Sequence, residues 1–154
     1  MAASLSLELP FMDRAHEQFT VLLKGVDEAG DAELPAAWQR VVDLAAESFA
    51  REDEWMQATR FSCCKDHTLQ HRVVLEVMRE GVVQAHEGQL LQVRQMAWQF
   101  RDWYHKHVQS MDAALALHLR GARFEPANGG DAGCSGIQAD QREVSQLLRK
   151  RVCN

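Results

Sequence analysis

Four stretches of this sequence place residues of one kind alternately three and four apart, the rhythm of a single helix face. The first follows Pro10 with Met12, His16, Phe19, Leu23 and Val26, and Gly30 stands where it would stop. The second puts Pro35 at a first helical position and runs through Leu34, Trp38, Val41, Ala45, Ser48, Glu52 and Trp55. The third extends from about Lys65 to His86, with His67, His71, Val74 and Met78 in line. The fourth extends from about Gln89 to Arg120 through Val93, Ala97, Phe100, Tyr104, His107, Met111 and Ala114. Arg60 to Cys64 and Glu87-Gly88 read as short connections, and no stretch alternates with period two long enough for a core strand. Long helices joined by short loops predict an all-α, up-down-up-down four-helix bundle over residues 1–120.

Beyond that bundle the composition shifts. Residues 121–136 hold five of the nine glycines, so 121–137 reads as a linker. Residues 138–154 read as a short amphipathic C-terminal helix carrying Val144, Leu147, Leu148 and Val152. A helix this short is marginal alone, so packing on the bundle and self-association are its two routes to order.

With 154 residues the chain suits one such domain with a real core. Seventeen basic against 22 acidic residues give a formal net charge of −5, which disfavours a nucleic-acid partner. No apolar run reaches the ~20 residues that span a bilayer, and the start lacks a basic n-region. A cytoplasmic protein without membrane attachment is expected. Cys63, Cys64, Cys134 and Cys153 form no CxxC pair and read as thiols, with a strained Cys63–Cys64 disulfide as the less favoured alternative.

The seven histidines are a rich allotment, and the helix faces explain why they matter. His16, Glu52, His67, His71 and His107 fall on the inward faces of the four helices, with Asp112 close by. A buried carboxylate without a partner costs several kcal/mol, yet no lysine or arginine occupies an inward position beside Glu52. A metal ion supplies the missing cation. His67 and His71, four apart, present two imidazoles one turn apart on one face. Imidazoles with carboxylates suit iron, manganese or zinc, and bundle cores are where such sites are built.

These residues resemble the hemerythrin family, most closely its single-domain bacteriohemerythrins. Met12-Asp13-Arg14-Ala15-His16 matches the first-helix motif, His67 and His71 the third, and Trp103, His107 and Asp112 the fourth. Ser48-Phe49-Ala50-Arg51-Glu52-Asp53-Glu54-Trp55-Met56 follows the second-helix motif, with serine in place of its histidine. The match covers about residues 8–120. The resemblance implies iron as cofactor and O2, or a similar small diatomic, as ligand. It implies one iron on His67, His71 and His107, another on His16 and the second-helix position, and Glu52 and Asp112 bridging them.

Ser48 opens that second position, because a neutral hydroxyl is a poor ligand and too short to replace an imidazole. Three outcomes stay open: two irons with an exogenous ligand in the gap, one iron on the three-histidine side, or completion by Glu47 or Tyr104. Phe19, Ser48, Phe49, Val74, Trp103, Tyr104 and Val108 are the expected lining of the ligand pocket. The same residues suit an O2-binding protein or, using the open position near Tyr104, an oxidase, peroxidase or nitric oxide-reactive enzyme. A sensor signalling through its tail is a third reading, disfavoured because no sensor domain is fused. His86, His105 and His118 read as surface residues, and Glu52-Asp53-Glu54 as a largely solvated run. One geometric demand remains: residues five apart lie about 140° apart on an ideal α-helix, so His107 and Asp112 require a local widening or a long reach.

Overall fold

The computed structural model describes residues 6–126, and all of its regular structure is helical. Pro10 opens α1 (Pro10–Glu28), where its missing N–H costs nothing. Asp13 ties that start down by accepting from the Leu7 N–H at 2.8 Å and the Ser6 hydroxyl at 3.0 Å. Pro35 enters α2 (Leu34–Ala58) in the same way. α3 (Cys64–His86) turns into α4 (Leu90–His107) through Gly88, whose φ of +79° a side chain would resist. Five residues of π-helix, Val108–Asp112, then carry the fourth rod without a break into α5 (Ala113–Gly121).

Short connections force neighbouring rods to run antiparallel, and each packs chiefly on the two beside it, as in a four-helix bundle. Trp38 is fully buried and donates its indole N–H to the Met78 carbonyl at 3.0 Å, pinning α2 to α3. Gly81 permits that approach: a Cβ there would lie 2.5 Å from Met96 Sδ and 2.7 Å from Trp38 Nε1. Arg94 and Arg101 on α4 reach the Ala29 and Leu23 carbonyls around the C-terminus of α1.

The interior has two apolar clusters. The larger includes Phe19, Trp38, Phe49, Val74, Phe100 and Val108. The smaller gathers Leu9, Met12, Met56, Leu115, Ala116 and Leu119. Between them along the rods fall buried polar residues: His16 between Met12 and Phe19, Glu52 between Phe49 and Met56, and Asp112 between Val108 and Leu115.

Several expectations need correction. Trp55 is only half-buried, edge-on to Phe11 at 4.8 Å, and Met56 takes the interior place instead. Ala114 is exposed and Met111 half-buried, because the π-turn shifts the phase so that Leu115, Ala116 and Leu119 face inward. His118 is half-buried and donates to the Thr59 carbonyl at 3.1 Å, whereas His86 and His105 are exposed as expected. Cys63 and Cys64 are not joined in a disulfide. The linker beyond 126, the C-terminal helix, Cys134 and Cys153 lie outside the described residues.

Candidate metal centre

Five buried side chains from α2, α3, α4 and the π-turn converge on one point: Glu52, His67, His71, His107 and Asp112. One candidate ligand atom from each lies within 4.8 Å of all the others. His107 Nε2 sits 3.1 Å from His67 Nε2 and 3.2 Å from His71 Nε2. Asp112 Oδ1 is 3.1 Å from His67 Nε2 and 3.0 Å from His107 Nε2. Glu52 Oε2 comes within 3.3 Å of His67 Nε2 and 3.2 Å of His71 Nε2, yet it lacks the alignment of a hydrogen bond.

The π-turn is what brings Asp112 in. On a regular α-helix it would point away from His107; the wider turn returns it to the same side. The expected local widening is thus present at the residues that need it.

The sixth expected residue stands apart from the five. His16 Nε2 is 3.1 Å from Asp112 Oδ2, the oxygen that faces away from His67 and His107, and His16 Nδ1 is buried without a partner. Ser48 is buried, and its hydroxyl also has no partner.

Two residues outside the expected site hold the rings in place, and one of them, Asp53, is half-buried against His71 where a solvated run was expected. Asp53 Oδ1 accepts from His71 Nδ1 at 3.1 Å and from the Thr68 hydroxyl at 2.9 Å. Gln70 Oε1 accepts from His107 Nδ1 at 3.2 Å. A hydrogen bond at the far nitrogen orients the ring and turns Nε2 toward the cluster. The signal available in the sequence was that a ligating imidazole needs such an acceptor. Aromatic rings complete the support: Phe49 stacks on His71 at 4.2 Å and Trp103 on His107 at 4.5 Å.

Electrostatics in the metal-free site follow from crowding. Burial pushes His67 towards neutrality, but Asp112 and Glu52 outweigh it and raise its pKa to about 9. Burial likewise opposes charge on His71, and Asp53 and Glu52 outweigh it. Burial pushes the Asp112 carboxyl upward, while hydrogen bonds from His107, His16 and His67 hold it well below the usual carboxylate range. Tyr104 is raised by burial and then by the negative charges of Asp112 and Glu52, so its phenol stays protonated.

These residues fit a transition metal. Bonds of roughly 2.1 Å to imidazole nitrogen and carboxylate oxygen put adjacent octahedral ligands about 3.0 Å apart and opposite ones about 4.2 Å apart. The observed contacts of 3.0 to 3.3 Å match adjacent ligands, and the overall span of 4.8 Å exceeds the opposite-ligand distance by a few tenths of an ångström. Without an ion, imidazole nitrogens face one another and a Glu52 oxygen lacks a hydrogen-bond donor, which is costly in a buried site. Three imidazoles with two carboxylates exclude a calcium- or magnesium-type cage and suit iron, manganese or zinc.

Of the expected pocket lining, Phe19, Ser48, Phe49, Val74, Tyr104 and Val108 are buried and Trp103 is partly buried. Phe19 and Tyr104 pack at 4.5 Å, and Tyr104 meets the His16 ring edge-on at 5.9 Å.

A four-helix bundle thus encloses a buried His, Glu and Asp cluster of the kind that can hold a metal ion. The chain is similar to the bacteriohemerythrin of Ralstonia nicotianae, with 29% identity over 107 residues, covering 70% of this chain and 78% of that protein. No family model and no solved structure matches.

Proposed function

We propose that the protein holds iron in the bundle and binds O2 or a similar small diatomic there, with His16, Glu52, His67, His71, His107 and Asp112 forming the site. The observation that carries this reading is the convergence of three Nε2 atoms and two carboxylates at ligand-to-ligand distances. Bound iron supplies the electrons that O2 accepts and returns in reversible binding. The chain's own residues do the rest. His67, His71 and His107 offer three Nε2 atoms; Asp53 and Gln70 fix two of those rings. Glu52 and Asp112 balance the metal's charge. Phe19, Phe49, Val74 and Val108 are buried apolar side chains that keep bulk water from the cluster. No helix among the described residues is long and apolar enough to cross a membrane.

A second reading, an iron oxidase, peroxidase or nitric oxide-reactive enzyme, draws on Tyr104. Its ring borders His16, and its phenol feels the charges of Asp112 and Glu52. Exposing anaerobic Fe(II)-loaded protein to O2 separates the two. A visible band that appears with O2 and disappears on deoxygenation is expected for a carrier. Oxidation that deoxygenation does not reverse favours the enzyme reading.

A further inference from the structure

We infer that the cluster takes one metal ion, and that His16 is a positioning residue which holds Asp112 for that ion. This rests on the metal-binding reading above and concerns the number of ions, where the resemblance implies two.

Three observations support it. First, the five-residue cluster is complete without His16: three nitrogens and two carboxylate oxygens already surround one point. Five protein ligands leave one octahedral position for an exogenous molecule. Second, the His16 side is poor in donors. Its polar contact joins one imidazole to Asp112 Oδ2, the second Glu52 oxygen adds one further carboxylate donor, and Phe19 and Tyr104 pack beside it. An ion with so few protein donors has to keep several waters, next to the apolar rings of Phe19 and Tyr104. Third, the two buried carboxylates at the centre balance the charge of one divalent ion.

The contacts agree: the polar contact of His16 Nε2 is with Asp112 Oδ2, whereas His67 Nε2 faces three members of the cluster. By holding Oδ2, His16 turns Oδ1 towards His67 and His107.

The test strips the full-length protein with a chelator and titrates it anaerobically with Fe(II) or Co(II). Ions per chain are counted after desalting, and magnetic resonance reports whether ions are coupled. One ion per chain with the spectrum of an isolated centre is expected. Two ions, or a coupled pair, overturn the inference and leave the metal-binding reading standing; no bound ion overturns that reading itself. His16→Gln, whose amide can still donate to Asp112, is expected to keep one ion at nearly the parent affinity. His16→Ala is expected to keep one ion about tenfold more weakly, as when an outer hydrogen-bond partner is lost. If both variants keep parent helical circular dichroism but bind no ion, His16 is a ligand and the inference fails.

Discussion

Replacing Asp53 with alanine removes two hydrogen bonds, one from His71 Nδ1 and one from Thr68. His71 keeps its stacking on Phe49 but loses the acceptor that sets its tautomer. The ring is then free to carry its proton on Nε2, the nitrogen the metal needs. Loss of such a partner typically weakens metal binding by about 10- to 100-fold, roughly 1.4 to 2.7 kcal/mol. The Asp53 side chain is 24% exposed, so water can partly replace it, and the expected loss lies at the lower end, about tenfold. Asp53→Asn keeps an acceptor oxygen but loses its charge, which roughly halves the strength of the bond, so its loss is about threefold. Competition against a chromophoric chelator for Co(II), with folding checked by circular dichroism, reads both values. Glu54→Ala, an exposed neighbour on the same helix, serves as the control. If folded Asp53→Ala binds Co(II) as tightly as that control, Asp53 does not position His71.

His71→Ala is expected to lose more metal than His16→Ala in the same assay, because only the former removes one of the five converging ligands. Metal uptake near neutral pH should release protons and tighten by up to tenfold per pH unit towards pH 9, since His67 must shed the proton held with a pKa of about 9. For the metal-free fold the sign is opposite. His67 gains affinity for its proton on folding, so its stabilising contribution is complete below about 6.5 and is lost as pH rises through about 9. Urea unfolding of chelated protein at both ends of that window measures it. Gly81→Ala drives a methyl group against Met96 and the fully buried Trp38, and should cost about 1–3 kcal/mol in thermal unfolding. Ser48→His adds an imidazole one turn before Glu52 and should raise capacity from one ion to two; an unchanged count in the folded variant would show that Ser48 does not control the second position.

The bundle was legible because helix rhythm, Pro10, Pro35 and Gly88 agree with one another at every level. The site was legible for a related reason. A histidine or acid inside an apolar stripe has no cheap explanation, and these residues occur on every rod. The i, i+5 spacing of His107 and Asp112 even required the distortion now seen at Val108–Asp112. What followed that distortion was not legible: a π-turn resets the phase, so Ala114, in line on a regular helix, faces outward. The roles of Asp53 and Gln70 escaped notice because they depend on which way an imidazole turns, and spacing along the chain carries no such information. The separation of His16 from the other five was hidden for the same reason. Helix faces place residues on a common interior, and only tertiary distances divide it into five converging side chains and a sixth that meets one of them by a hydrogen bond.

X-ray absorption at the iron edge tests the central claim most directly. Protein loaded with Fe(II) under anaerobic conditions should show a shell of nitrogen and oxygen neighbours with outer scattering from three imidazoles per iron, contributed by His67, His71 and His107. His71→Ala should reduce that imidazole signal by about one third in whatever iron it retains. Iron with no imidazole scattering, or a signal that His71→Ala leaves unchanged, would contradict a metal centre built on this cluster.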